Sequence, residues 1–255
     1  MTDVYWLKQT DSDVPAENSW LSASEALCLQ GLRFAKRRDD WRLGRWTAKR
    51  AVTLCLNLPG TSRAFSNIEI RTAPSGAPGI FVLNQPAVAA ISLSHRAGIA
   101  LCAVTPCGTD LGCDLELIEP RSDAFVADYF SPEEHALVAG ASVAKHSLLL
   151  ALLWSAKESA LKALHTGLRL DTRCVVVTPM DEFWQTELDS GRESEDLTPA
   201  PQSPTGINNW RRLHVRCISG QVFHGWWQTA DHTVQTLVAA SPPAKPIRLV
   251  PACPQ

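Results

Sequence analysis

Apolar residues alternating with a period of two mark strands, and apolar residues spaced three and four apart mark helices. On that basis VYWLK at 4–8 is a first strand. Ser22 or Ser24 can cap a helix through SEALCLQGL. A second helix runs from about Asp40 to Leu56 and stops at Leu58-Pro59-Gly60. Strands are predicted at 68–70 and 88–95. Residues 98–104 and 110–117 form an expected hairpin across Thr105-Pro106-Cys107-Gly108-Thr109. Phe130-Ser131-Pro132-Glu133-Glu134 is a helix start, with Ser131 as cap, Pro132 in the first turn and Glu134 closing a capping box. The next helix spans about 145–165 and ends at His165-Thr166-Gly167. Strands return at 173–178, 211–218, 221–228 and 233–240. The polar, proline-rich stretch 189–209 reads as a mobile loop, and the tail 241–255 as irregular.

This order gives an α+β chain in two halves of similar plan, 1–117 and 118–240, followed by the tail. The likeness between the halves is one of pattern, with no repeat visible in the sequence itself. With 255 residues, 45% hydrophobic and 20% charged, the chain can bury a sizeable core. A net charge of −2 argues against a general polyanion binder. The N-terminus lacks the basic start and apolar run of a signal peptide. The longest apolar run, near 147–154, is too short to span a bilayer. Eight cysteines are scattered without metal-ligand spacing. Cys28, Cys55, Cys102, Cys113 and Cys174 read as buried small hydrophobes. A soluble protein in a reducing cytoplasm is expected.

Candidate chemistry lies in a few stretches. In DLGCDLEL at 110–117, period two sets Leu111, Cys113, Leu115 and Leu117 on one face and Gly112, Asp114 and Glu116 on the other. The two acids lie roughly 7 Å apart along the strand. They are either a solvated face or a Mg²⁺ site, since Mg²⁺ takes hard oxygen ligands and relieves carboxylate repulsion. Gly112 leaves room there for a ligand. In LLWSAKESALKAL at 152–164, Glu158 and Lys162 are helical neighbours that share a face with Ser155 and Ser159. They are an ordinary surface pair or a metal ligand and a phosphate donor. In FAKRRDDWRLGRWTAKRAV at 34–52 the basic residues crowd one segment. Arg42, Arg45 and Lys49 share a helix face that is either solvated or a phosphate clamp. Trp41 and Trp46 read as core. ISLSHR at 91–96 ends a strand on His95, and APSGAPG at 73–79 is a turn.

Taken in order, these stretches resemble the 4'-phosphopantetheinyl transferases, in the larger single-chain class typified by the surfactin-synthetase activator. The resemblance rests on Gly112-Cys113-Asp114-Leu115-Glu116 and on Trp154-Ser155-Ala156-Lys157-Glu158-Ser159-Ala160-Leu161-Lys162. It extends to Ser92-Leu93-Ser94-His95, to Phe130 through Glu134, and to Leu43-Gly44-Arg45 followed by Lys49. In all it covers roughly residues 30–180. It implies a pseudodimer of two α+β halves with the active site in the cleft between them. The activity implied is transfer of the phosphopantetheine arm of coenzyme A to a serine of an acyl or peptidyl carrier protein, releasing 3',5'-bisphosphoadenosine. Mg²⁺ would sit on Asp114, Glu116 and Glu158, with Glu158 as base and Lys162 on the pyrophosphate. His95, Arg37, Arg38 and Arg45, and more weakly Lys49, would hold the 3'-phosphate, with Ser94 contacting the nucleotide. A monomer is implied. The family often has a lysine where this chain has Ala77, so the phosphate must lean on the remaining cations. Two rivals stand beside this reading. A nucleic-acid module built on residues 33–50 leaves the acids at 114, 116 and 158 unexplained. A catalytically silent carrier-protein scaffold does not account for their being intact.

Overall fold

The computed structural model describes residues 3–180 and 209–250; the stretch read as a loop at 189–209 lies almost wholly outside them. The chain opens with β1 (Tyr5–Thr10), α1 (Ala23–Gly31), α2 (Ala35–Cys55) and α3 (Ser62–Ser66). Strands β2 (Ile68–Thr72), β3 (Pro78–Val82), β4 (Gln85–Pro86), β5 (Ala90–Arg96), β6 (Ile99–Thr105) and β7 (Leu111–Leu117) follow. Next come α4 (Asp123–Tyr129), α5 (Pro132–Gly140) and α6 (His146–Ala163). The described chain closes with β8 (Val175–Pro179), β9 (Arg211–Cys217), β10 (Val222–Ala230), β11 (Thr233–Ala239) and β12 (Ile247–Arg248). The fold is mixed α+β, as expected. Helix α2 starts a turn and more before Asp40, because Lys36 and Asp40 pair at i,i+4 (2.8 Å) and extend it toward its N-terminus.

One sheet runs β12-β1-β6-β5, a second β7-β11-β10-β9-β8, and a third β2-β3-β4. The hairpin expected between 98–104 and 110–117 does not form. β6 pairs with β1 and β5, and β7 pairs with β11 along its whole length, from Leu111↔Ala239 to Leu117↔Thr233. The turn residues 105–109 signalled a chain reversal, but a sequence cannot say whether the next strand returns to the same sheet. Two-residue turns with positive φ do join β5 to β6 (Ala97, Gly98) and β10 to β11 (Asp231, His232).

Each sheet buries one face under a helix. Leu7, Ile91, Cys102 and Val104 pack on Trp46, Ala48 and Val52 of α2. Val175, Val177, Val215, Phe223 and Val238 pack on α6. The remaining faces meet each other, Val4, Trp6, Leu101 and Ala103 against Leu111, Cys113, Leu115, Trp226 and Leu237. The period-two reading of β7 therefore holds for its apolar face. Cys102 and Cys113 are buried as expected, whereas Cys28 is exposed and Cys55 and Cys174 are only half-buried. Helix α1 carries apolar residues on more than one face, so its apolar context did not mark the buried side; Leu27 beside Cys28 is 68% exposed.

The same device recurs under both helices. Ser22 caps α1 and Glu25 closes the box. Glu25 also accepts the amide of Ile70 and pairs with Lys49 of α2. Ser131 caps α5 and Glu134 closes the box. Glu134 accepts the amide of Val177 and pairs with Lys157 of α6 at 2.7 Å. Both ammonium groups are fully buried and each donates to two carbonyls, Trp20 and Phe65 for Lys49, Thr172 and Val175 for Lys157. Burial draws both lysines below the ordinary value, opposed by the facing glutamate. The local sequences Trp46-Thr47-Ala48-Lys49 and Trp154-Ser155-Ala156-Lys157 are identical at three of four positions, with Thr47 against Ser155 at the fourth.

Candidate active site

Helix α6 sets the site. From Leu149 to Leu161 every residue except Glu158 is buried. Ser155 and Ser159 turn away from Glu158 and hydrogen-bond Thr236 of β11 at 2.9 and 2.7 Å. Strand β7 lies hard against α6 at Gly112. A Cβ there would stand 1.7 Å from the carbonyl oxygen of Ser159, so only glycine permits this approach. The room at Gly112 is filled by the helix backbone, not left for a ligand as the sequence suggested.

That contact brings β7 and α6 together at their acidic and basic residues. Lys162 Nζ donates to Asp114 Oδ1 (2.7 Å) and to the Cys113 carbonyl (3.0 Å). Ser94 of β5 donates its hydroxyl to the same Asp114 oxygen (2.8 Å). Ser92 accepts the Cys113 amide (2.9 Å), and the Cys113 thiol donates to the Ser92 carbonyl (3.1 Å). Side chains of β5 thus join the edges of the two larger sheets where no backbone ladder runs. Burial lowers the ammonium of Lys162, but Asp114 more than offsets this and holds it above its ordinary value.

Asp114 Oδ2 is buried and has no hydrogen-bond partner among the described residues. Burial, then the charge of Asp114, raises the carboxyl of Glu158, against the pull of Lys162. The same two causes raise Glu116, opposed by Arg96 and Arg121, the latter bonding it at 3.0 Å. Asp114, Glu116 and Glu158 therefore share one electrostatic neighbourhood of hard oxygen donors with an unused buried lone pair, which suits a divalent cation. Among the described residues no three His, Cys, Asp or Glu side chains are gathered closely enough to hold a metal as they stand. Glu116 would have to leave Arg121 to join such a set.

Beside this cluster a cavity of about 370 Å³ opens between α2, the turn at 73–78, β5 and the end of α6. Arg45, Trp41, His95, Ala77, Lys162 and His165 are among its lining residues. It adjoins a wider hollow lined by Phe34, Lys36, Arg37, Asp40, Trp41 and His95. Arg45 stacks over Trp41 (5.0 Å), and its buried Nε has no hydrogen-bond partner among the described residues. Burial lowers His95, with Lys162 and Lys36 adding to the effect against Asp40.

The basic segment divides. Arg37, Arg45 and His95 reach the cavities. Arg38 instead bonds the carbonyls of Leu32 and Arg33, and Arg42 ties down the loop at 15–18. Lys49 cannot meet a ligand at all, because it is the fully buried partner of Glu25. Shared helical spacing was a correct reading of direction, but one side of that face points into the core. Ser94 donates its hydroxyl to Asp114. Sequence reasoning assigns no site role to Trp41, Lys36 or Arg121. The i,i+4 spacing of Lys36 and Asp40 was the one available signal.

Residues 110–199 match the family model of the 4'-phosphopantetheinyl transferase superfamily. The matched stretch is roughly a third of the chain and includes Asp114, Glu116, Glu158 and Lys162. It supports a phosphopantetheinyl transferase. Comparison with curated proteins returned no match. Three solved structures are similar to part of the chain. A holo-(acyl-carrier-protein) synthase from Bacillus anthracis str. Ames, in complex with coenzyme A (3',5'-ADP), is 19% identical, covers 41% of this chain and 94% of its own, and has a TM-score of 0.35. The Helicobacter pylori holo-[acyl-carrier-protein] synthase, in complex with coenzyme A, is 20% identical, covers 40% and 96%, and scores 0.31. The Thermotoga maritima holo-[acyl-carrier-protein] synthase is 22% identical, covers 51% and 75%, and scores 0.33.

Proposed function

We propose that the chain transfers the phosphopantetheine arm of coenzyme A to a serine of a carrier protein, as a pseudodimer of the larger single-chain class, acting as a monomer. The observation that carries this is the Ser94–Asp114–Lys162 cluster at the junction of two sheets, beside a cavity lined by Arg45 and His95. The family match over 110–199 agrees with it.

Support for two related halves comes from the recurring Ser–Glu–Lys device. If Lys49 and Lys157 are equivalent, and the two hairpins likewise, strand pairing sets Leu7 against Asp114, Gln9 against Glu116, Arg50 against Glu158 and Leu54 against Lys162. The first half thus lacks every acid of the second, so one chain would carry one active site. The seam between halves would fall at 106–110, before β7, rather than after residue 117.

In the proposed reaction the carrier serine oxygen attacks the β-phosphorus of the coenzyme A pyrophosphate. The bond from that phosphorus to the bridging oxygen breaks, and 3',5'-bisphosphoadenosine departs with the bond electrons. Glu158 takes the serine proton, directly or through a water; its raised carboxyl suits a base. Lys162 offers positive charge to the pyrophosphate. Arg45, His95 and Arg37 hold the 3'-phosphate. A Mg²⁺ ion held by Asp114 Oδ2, Glu158 and Glu116 would supply charge neutralisation on the phosphoryl oxygens. A nucleic-acid module is disfavoured by the burial of Lys49 and the internal bonds of Arg38 and Arg42.

Incubation with coenzyme A, Mg²⁺ and an apo carrier protein should add one phosphopantetheine, read by mass spectrometry. Asp114→Ala should abolish the gain when assayed well below the variant's own melting midpoint, where it is still folded. No mass gain across fatty-acid, polyketide and peptide carriers would refute the assignment.

A further inference from the structure

Helix α6 ends in a Schellman turn. The amide of Thr166 donates to Leu161 O (3.1 Å) and that of His165 to Lys162 O (3.0 Å). The residue after the cap in such a turn is left-handed and usually glycine. Here it is His165, at φ 56°. Two residues on, where the chain is left-handed again, Gly167 stands (φ 53°). The turn therefore uses glycine at one left-handed position and a ring-bearing residue at the other. A non-glycine residue held left-handed is strained, and strain of this kind persists where the surroundings over-determine the backbone.

The surroundings do so here. Arg169 donates to the carbonyls of His165 (3.1 Å) and Thr166 (3.0 Å), which the helix end leaves without helical partners. The same guanidinium crosses to Ser75 O (3.1 Å), in the turn that forms the facing cavity wall. The segment bearing His165 is thus clasped to the other side of the cavity that His165 lines. Arg45, His95 and Lys162 line that cavity too, against a single acid, Asp40. Such a surface suits a phosphate ester.

We propose that His165 is a ligand-binding residue, kept in a strained conformation so that its ring can donate to a phosphate oxygen of the coenzyme A bound in this cavity. The inference rests on the function proposed above. A purely structural residue at this position predicts that glycine improves the fold and changes nothing else.

The test pairs His165→Gly with His165→Asn, reading melting temperature and coenzyme A affinity by calorimetry. The glycine variant should melt about 2–4 °C higher, yet bind coenzyme A about five- to tenfold more weakly. Asparagine tolerates the left-handed region and keeps a donor; it should bind within about threefold of the unaltered protein. Dephospho-coenzyme A tells which phosphate is touched: if it loses no affinity on the glycine change, the contact is to the 3'-phosphate. Binding of coenzyme A by His165→Gly within twofold of the unaltered protein overturns the proposal, and so does a lower melting temperature. If the unaltered protein binds no coenzyme A, the function proposed above fails, and this inference with it.

Discussion

Gly112→Ala separates two accounts of one residue. If the space above Gly112 awaits a ligand, a methyl group weakens binding and leaves stability alone. The structure fills that space with the backbone of α6, the new Cβ lying 1.7 Å from Ser159 O, 2.6 Å from its carbonyl carbon and 3.1 Å from the amide nitrogen of Ala163. Ordinary carbon–oxygen contact begins near 3.3 Å, so strand and helix must part by about 1.5 Å. The helix cannot yield, being buried on nearly every side from Leu149 to Leu161. Strand β7 cannot shift without disturbing its ladder to β11. Overpacking costs typically about 1–3 kcal/mol and sometimes more, and a clash with backbone belongs at the upper end. At about 2–4 °C per kcal/mol for a chain of this size, the melting temperature should fall by about 6–12 °C. The separation also pulls Asp114 from Lys162, now 2.7 Å apart, so transfer measured well below the melt should fall at least tenfold. Melting by circular dichroism, with transfer assayed at 10 °C below the variant's midpoint, tests both. A midpoint within about 2 °C of the unaltered protein would refute the packing argument. Weaker coenzyme A binding at unchanged stability would restore the ligand account.

Lys157→Met leaves Glu134 buried without its counter-charge, and breaking a buried pair costs about 3–5 kcal/mol. Urea unfolding should show that loss. Lys157→Met with Glu134→Gln should recover most of it; no recovery would mean packing, not charge, dominates the site. Glu158→Gln should stabilise the ligand-free protein at neutral pH. The folded carboxyl titrates above its ordinary value, so the unfolded chain releases the proton first and stability is lost as pH rises from near 4.5 through the folded value. The melting advantage of the glutamine variant should therefore be absent below about pH 4.5, grow as pH rises through the folded carboxyl's value, and level off above it. A variant that melts lower than the unaltered protein at pH 8 would exclude the raised carboxyl.

The sequence carried most of the local structure because local structure has local causes. Ser131, Pro132 and Glu134 form the helix start they spell, and the alternation of β7 buries the face it should. What it could not carry was which surfaces meet. Lys49 and Arg45 share a helix face, yet one neutralises Glu25 in the core and the other opens on a cavity. The difference is made by α1 and β2, neither of which the spacing within α2 can report. Asp114 and Glu116 looked alike on one strand. One accepts from Ser94 and Lys162 and the other from Arg121, because β5 and α6 approach only the former.

If the two halves are related as proposed, the buried Ser–Glu–Lys device is what they have in common. The shared elements are the buried pairs and the tryptophan three residues before each lysine. Under that alignment the proposed site residues fall where the halves would diverge, Arg50 against Glu158 and Leu7 against Asp114. A scaffold held by a buried Ser–Glu–Lys device can tolerate that divergence, because Lys49 and Lys157 are fully buried whereas Glu158 is not. Glu158 follows Lys157 directly, so one residue anchors the helix in the core while the next faces the site. A shift of α6 by one residue would exchange them. The buried pair at Lys157 thus fixes the register on which the placement of Glu158 depends.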